Sequence, residues 1–437
     1  MNLLIDNFAK IKHANIEFNG ITVIAGDNNT GKSTIGKILF ALFDAFNDIN
    51  QKIKDERNEA IRRAIASEIN SFINGKGTFH NIFIVPNHLK KGHIIIDDID
   101  NLNIDNLIET ILGEELQDLS FEERHILKNN IINRLGKIKK ISDCDLKVQI
   151  IGDYFKSLFN SQVNSLFLGI KENTSAIVEL NIKDKTIKGV FSNGFCEKIE
   201  QNINLLNKAV YIDDPFIVDT IMGKNIVPDF LLGADGRFEI NRCLKKYLRQ
   251  RKRGHLVERI LAEKQLEEIN ARLKHVVRGE FIFSDRGEIA LKNDTFIDAI
   301  NISNLSTGIK AFVILKKLLE DDVLKNKDVL VLDEPEIHLH PEWQIIYAEL
   351  IVLLQKFFDL TILLTTHSPY FLRAIDVFAV KYGVRDKCKF YLSANDPKDN
   401  FAYFVDKTDK IDSLFKKMAD AFAILNNIDD ANNDSMK

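Results

Sequence analysis

Residues 21–34 read ITVIAGDNNTGKST, which divides into a buried strand, a glycine-bounded loop and the start of a helix. Ile21 to Ala25 is a short, β-branched apolar run, and from Thr34 onward (TIGKILFALFDAF) apolar residues recur at helical spacing. Between them Gly26, Gly31, Lys32 and Ser33 stand at the spacing of a phosphate-binding loop, G-x-x-x-x-G-K-[ST]. Backbone N–H groups converge on phosphate oxygens only where the chain turns sharply without interference from a Cβ, which is the task of Gly26 and Gly31. The helix beginning near Lys32 adds the positive end of its dipole. Lys32 supplies a point charge to the outer phosphates, and the Ser33 hydroxyl is placed to ligate Mg²⁺.

The remaining 400 or so residues bound what such a loop can serve. Of 437 residues, 45% are hydrophobic, enough for a substantial core and for two or three structural units. Formal net charge is only -4, with an isoelectric point near 6.2, so the molecule as a whole is no electrostatic nucleic-acid binder and any such contact must be local. Cys144, Cys196, Cys243 and Cys388 lie far apart without metal-ligand spacing, which predicts neither a zinc site nor a disulfide framework and suggests a reducing, cytoplasmic setting. No apolar run reaches about 18 residues, and the N-terminal MNLLIDNFAKIKH lacks the ordered regions of a signal peptide, so no membrane association is expected.

Along the chain, Asn2–Phe8 and Ala14–Phe18 read as two strands leading into the loop strand. Lys12 between them suits either a place near a base or ribose or a solvated turn. From Ile49 to Ile73 a charged helix carries the stripe Ile53, Ile61, Ala64, Ile65, Ile69, Phe72 and Ile73, as a helix of an inserted lobe would. HNIFIV (80–85) predicts a strand, and residues from about 104 to 160 read as helical without sustained heptads. Ala176–Leu180 and Lys185–Phe191 alternate as a hairpin does, and Ala209–Ile212 is an apolar strand ending in Asp213 and Asp214. The segment 241–257 departs from overall neutrality. Arg242, Lys245, Lys246, Arg249 and Arg253 fall on one helical face, with Leu244 and Leu248 turned elsewhere. That face is either solvated or a contact for nucleic acid or an acidic partner. After a second amphipathic helix (258–277) comes a hairpin, Phe281 to Leu291 across SDRG. NLSTGIK (304–310) then leads into an apolar helix through Leu319; taken alone, Ser306 is an N-cap.

Two later strands carry the partners of the loop. DVLVLDEPE (328–336) is an apolar strand ending in adjacent carboxylates, and acids stand at the carboxyl end of a buried parallel strand only where something there needs them. In phosphoryl transfer Asp333 would hold Mg²⁺ and Glu334 would polarise the attacking water. TILLT (361–365) is the next buried strand, ending in Thr366 and His367; its place one strand after the acid pair favours a role for His367 near the γ-phosphate over a purely structural one.

In this order, GDNNTGKST, NLSTGIK, LVLDEPEIHLHP and TTHSP resemble the Walker A, signature, Walker B and switch-histidine motifs of ABC-type ATPases, above all the RecF, SMC and OLD branch, where EPEIHLHP is typical. The resemblance covers Met1 to about Phe46 and Glu280 to about Leu425; YFKSLFNSQVNSLF (154–167) also looks like the helical lobe of that branch. It implies an α/β fold, a P-loop NTPase head with a mostly parallel sheet and an antiparallel N-terminal subdomain. The head is then 1–46 with 280–425, the inserted helical lobe 47–279 with head strands near 80–85 and 209–213, and 426–437 a disordered tail. It implies ATP and Mg²⁺ as cofactors, with Gly26, Asn28, Asn29, Thr30, Gly31, Lys32, Ser33 and Thr34 around the nucleotide and Glu334 and His367 as catalytic residues. Ser306 and Gly308 would reach the γ-phosphate of a second copy, giving a head-to-head dimer or a higher oligomer.

Two departures bear on function. No Q-loop glutamine is recognisable, with Asp213 or Asp214 as its replacement, and Thr307 and the HLHP tract differ from transporter signature and D-loops. OLD nucleases continue into a Toprim domain, whereas this sequence has no such acidic cluster after His367. It therefore looks like the free-standing ATPases of two-gene antiphage systems, such as PtuA of Septu and retron systems or the PARIS ATPase, acting with an HNH or Toprim nuclease. The alternatives are a RecF-like repair ATPase and, further off, a transporter ATPase.

Overall fold

A computed structural model describes residues 1–75, 120–166, 174–220, 240–249, 267–269, 271–274, 276–283, 289–418, 425 and 428. Within it β3 (Ile21–Gly26) is the strand around which the sheet is ordered: all six residues are buried, so both faces of the strand are covered. Its neighbours are β12 (Thr361–Thr366) and β13 (Cys388–Asn395), both parallel to it. β11 (Val329–Asp333) pairs in parallel with β12, and β7 (Ala209–Ile212) in parallel with β11. The parallel core β13-β3-β12-β11-β7 brings the carboxyl ends of β3, β11 and β12 to the same edge, where open α/β sheets place their ligands.

Helices cover both faces of this core. On one, α1 (Lys32–Phe46) lies so close that a Cβ on Gly36 would meet Val331 at 3.0 Å and the Tyr211 ring at 3.3 Å. On the other, Val23, Ile212, Leu330, Leu332, Ile362 and Leu364 pack with the apolar sides of three further helices. α2 (Ile49–Gly75), α3 (Phe121–Lys139) and α4 (Asp143–Leu158) precede β7; α5 (Ile217–Thr220) and α6 (Ile240–Arg249) follow it. Then come α7 (Thr307–Glu320), α8 (Pro341–Phe358), α9 (Pro369–Lys381) and α10 (Ile411–Met418), of which α7, α8 and α9 form the second face.

β1 (Asn2–Phe8) and β2 (Ile11–Glu17) form an antiparallel pair, and β1 pairs on its other side with β4 (Ala176–Ile182). β5 (Lys185–Ser192) and β6 (Phe195–Gln201) continue that antiparallel run, and β14 (Ala402–Asp406) joins β2 to β13, making one eleven-stranded sheet. A separate three-stranded sheet holds β8 (Glu280–Phe283), β9 (Ile289–Lys292) and β10 (Ile300–Asn301).

The chain forms two compact units, Met1–Asn47 with Ile151–Lys437, and Asp48–Ile150. The expected lobe of 47–279 is therefore wider than the unit seen, because β4 to β6 are recruited to the edge of the head sheet through β1 rather than forming a body of their own. Segment 154–166, expected in the helical lobe, lies with the head unit: Phe155 and Phe159 pack edge-on against Phe8 and stack on each other, and Phe155 tilts against Phe191. Each such aromatic pair adds roughly 0.5–1.5 kcal/mol beyond its buried area. In the smaller unit, Ile61, Ala64, Ile65 and Ile69 of α2 are buried and so are Leu127, Ile131 and Leu135 of α3, the i, i+4 spacing of two helices packed side by side. Arg57 fastens α2 to the end of α3 by donating to the carbonyls of Ile138 and Ile141. The predicted strand at 80–85, the helix 258–266, the SDRG turn and the tail 429–437 lie outside the described residues, as do the side chains of Phe72 and Ile73. No described helix is long and apolar enough to cross a membrane.

Candidate functional site

Gly26 ends β3 at φ 155, and a Cβ there would stand 2.1 Å from the carbonyl oxygen of Ser393 on the neighbouring β13, so no other residue fits. Asp27, Asn28 and Asn29 then bulge outward, exposed, with Asn29 at φ 58. Thr30 turns back in: its hydroxyl donates to the Asp27 carbonyl (2.7 Å) and meets the Ser393 hydroxyl at 2.8 Å. Gly31, at φ 79, caps α1 without a side chain, which leaves the first-turn N–H groups of Lys32, Ser33 and Thr34 without a side-chain acceptor at the end of the loop.

Lys32 is buried, and its ammonium donates to the carbonyls of Gly26 (3.3 Å) and Asp27 (2.8 Å). Burial pushes its pKa down, and the carboxylates of Glu334, Asp333, Glu336 and Asp27 partly offset that. The ammonium also stands 2.8 Å from His367 Nε2 and 3.8 Å from Glu334 Oε1, and His367 Nε2 is 2.6 Å from the same Glu334 oxygen. One ring nitrogen thus faces a donor and an acceptor. As a neutral Nε2 it accepts from Lys32, and as Nε2–H it donates to Glu334.

Asp333, the last residue of β11, has both carboxylate oxygens engaged. Oδ1 accepts from Thr365 Oγ1 (2.5 Å) and Ser33 Oγ (3.1 Å), and Oδ2 from the Tyr211 hydroxyl (2.8 Å). Glu334 follows at φ 50, a left-handed conformation costing a non-glycine residue on the order of 1–3 kcal/mol. Its N–H is caught by Thr365 Oγ1 at 3.0 Å, and the turn swings the carboxylate out of the strand toward Lys32 and His367. Beside Glu334 lies a cavity of about 30 Å³ lined by Asp213, Ala311, His338 and Tyr347 among others, room for one or two waters. Burial raises the pKa of Asp213, one of the two residues expected in place of a Q-loop glutamine, and the Asp333 charge adds to that.

Loop, acid pair and histidine are thereby brought together, from segments about three hundred residues apart in sequence. The signature residues stand elsewhere. Ser306 occupies the N-cap position of α7 but makes no capping bond and is exposed, while Gly308 is buried where a Cβ would meet the His338 carbonyl and the Trp343 ring at 3.0 Å. Among the described residues neither shares a hydrogen bond with the loop. Lys12 points to Asp399 (3.5 Å) over the Phe401 ring; the loop is met instead by Lys10, which donates to the Asn29 carbonyl at 2.7 Å, and by Lys417, 4.0 Å from the Asp27 carboxylate. Tyr211, Thr365 and Ser393 escaped sequence reasoning; Tyr211 and Thr365 stand near the carboxyl ends of strands whose apolar runs are legible, while nothing local marks Ser393.

In α6 Ile240, Leu244 and Leu248 are buried, Arg242, Lys245 and Arg249 are half-buried and Lys246 is exposed; Arg253 lies outside the described residues.

Residues 237–373 match the sequence family described as "AAA domain, putative AbiEii toxin, Type IV TA system". The match takes in Ser306, Asp333, Glu334 and His367 and leaves the phosphate-loop residues outside it. Among solved structures, the chain is similar to the SMC head domain from Thermotoga maritima (12% identity, TM-score 0.40, 93% of this chain and 97% of that one). It is also similar to an SMC head bound to the C-winged helix domain of ScpA (14%, 0.41, 93% and 96%). A third is the Smc head domain with an extended coiled coil bound to the C-terminal domain of ScpA, derived from Pyrococcus furiosus (13%, 0.39, 98% and 98%).

Proposed function

We propose that this chain is a Mg-ATP-hydrolysing ATPase that dimerises through composite ATP sites and controls a separate nuclease in antiviral defence. The observation that carries the ATPase reading is the convergence of Lys32, Glu334 and His367 within 2.6 to 3.8 Å at the carboxyl ends of three adjacent parallel strands. A lysine for the outer phosphates, a carboxylate for the water and an imidazole for the γ-phosphate are the parts that ATP hydrolysis needs in one place. The Gly26–Ser33 backbone and the start of α1 would hold the phosphates, and Glu334 would accept the proton of the attacking water, for which the cavity at its side has room. Ser33 and Asp333, oxygen donors 3.1 Å apart, fit a hard cation that takes few protein ligands; they would hold Mg²⁺, which would supply neutralisation of phosphate charge.

The dimer part rests on Ser306 and Gly308. We take any nucleotide contact of these residues to be with the loop of a second copy, and the uncapped, exposed Ser306 hydroxyl supports that reading. The defence role and the nuclease partner rest on the resemblance of the motif set to free-standing antiphage ATPases. A RecF-like DNA-binding ATPase is the second reading, favoured by the basic side of α6. The test incubates highly purified full-length protein with ATP, plasmid DNA and tRNA in Mg²⁺ or Mn²⁺. Phosphate release with intact nucleic acid is expected, cleavage appearing only with an HNH or Toprim chain added. No ATP turnover overturns the ATPase reading; cleavage by the protein alone, abolished by substitutions in it, overturns the separate effector. Tight DNA binding without a nuclease partner selects the RecF-like reading.

A further inference from the structure

We propose that Glu336 is a positioning residue that holds the main chain of His367 so that its imidazole meets Glu334 and Lys32. The inference rests on the ATPase reading above and assigns a task to a residue which that reading leaves unused. Glu336 follows Glu334 by two residues and is only 5% exposed. Its Oε1 accepts from three successive residues of the turn that leaves β12: Thr366 Oγ1 (2.6 Å), His367 N–H (2.7 Å) and Ser368 N–H (3.3 Å). Oε2 is buried and has no hydrogen-bond partner among the described residues.

A buried, unpartnered carboxylate oxygen costs about 1–3 kcal/mol, so packing alone would be better served by an apolar residue. An acid is explained by the three donors gathered on its other oxygen; burial raises the pKa of Glu336, and the bonds from Thr366 and His367 draw it back down. Gln344 closes the arrangement from behind. It accepts from Ser368 Oγ (2.6 Å) through Oε1 and donates through Nε2 to the carbonyls of Leu339 (3.0 Å) and Glu336 (3.5 Å). The segment 336–339 and the turn 366–368 are therefore one hydrogen-bonded unit. Within it His367 is held twice from the same strand end, at the ring by Glu334 (2.6 Å) and at the backbone by Glu336.

The experiment measures ATP binding and steady-state turnover for Glu336→Leu and Glu336→Gln, each alone and with His367→Ala. Glu336→Leu is expected to lower kcat roughly 10- to 100-fold, the scale of a displaced catalytic group, while ATP affinity holds. Glu336→Gln, which keeps an acceptor oxygen, should recover most of that loss. With His367→Ala already present, Glu336→Leu should add little, since both act through one imidazole. Equal losses with and without His367, or an unchanged kcat for Glu336→Leu, overturn the proposal. If Glu336→Leu does not fold, Thr366→Val removes one donor at nearly constant shape. Its smaller loss should likewise vanish with His367→Ala, and an additive loss or none overturns the proposal. A wild-type protein without turnover fails the ATPase reading itself, and that control separates the two failures.

Discussion

Glu334 shows how a single residue can set the geometry of a site. Strand alternation would continue β11 past Asp333, but the left-handed turn at Glu334, fastened by the Thr365 hydroxyl, aims its carboxylate at Lys32 and His367. An amide of the same shape keeps that aim and cannot take a proton. Glu334→Gln is thus expected to bind ATP normally and to lose turnover by roughly 10²- to 10⁴-fold. Lys32→Ala, which removes the buried ammonium, should weaken ATP binding itself. Equilibrium binding and phosphate release, measured on both variants, check the pair: rapid hydrolysis by Glu334→Gln or unaltered affinity in Lys32→Ala would contradict the assignment.

Among the elements, α6 divides most clearly into two sides. Ile240, Leu244 and Leu248 are buried in the head core, Cys243 reaches Asp44 at 3.9 Å, and Tyr247 receives Lys208 over its ring. Arg242 and Arg249 are half-buried, so reversing them would mix stability with binding. The cleaner test is Lys245→Glu with Lys246→Glu, where a surface change is expected to stay within about 0.5 kcal/mol of stability. If α6 contacts nucleic acid, the double reversal should leave ATP turnover intact, weaken binding to duplex DNA and flatten its salt dependence by about two phosphate contacts. Unchanged DNA affinity and salt slope would make this side of α6 a solvated surface.

At the scale of the whole molecule, neither Ser306 nor Gly308 shares a hydrogen bond with the loop among the described residues, and the proposed composite site is tested with two copies. Mixing Ser306→Arg protein with Lys32→Ala protein puts both lesions in one site of a mixed dimer and leaves the other site intact. The mixture is expected to hydrolyse ATP faster than either parent alone. Parental activity in a preparation in which mixed dimers are shown to form would mean that Ser306 acts within its own chain or not at all.

The residues proposed to do chemistry were legible because each set is contiguous. The phosphate loop from Gly26 to Ser33, the Asp333–Glu334 pair and His367 each sit at the end of an apolar run whose local pattern also predicts a buried strand. β4, β5, β7, α1 and α7 follow from periodicity in the same way. What the local pattern lacks is the identity of the neighbour. It cannot tell that β13 runs beside β3 and puts Ser393 under Gly26, that β4 to β6 extend the head sheet rather than the lobe, or that Lys10 and not Lys12 meets the loop. Nor can it reveal that the hydroxyls of Tyr211 and Thr365 fasten Asp333, or that Glu336 receives the turn at His367. Hydrophobic periodicity reports which side of an element must leave water; which element covers that side is decided by long-range pairing, where strands hundreds of residues apart compete for the same edge and only the folded chain holds the outcome.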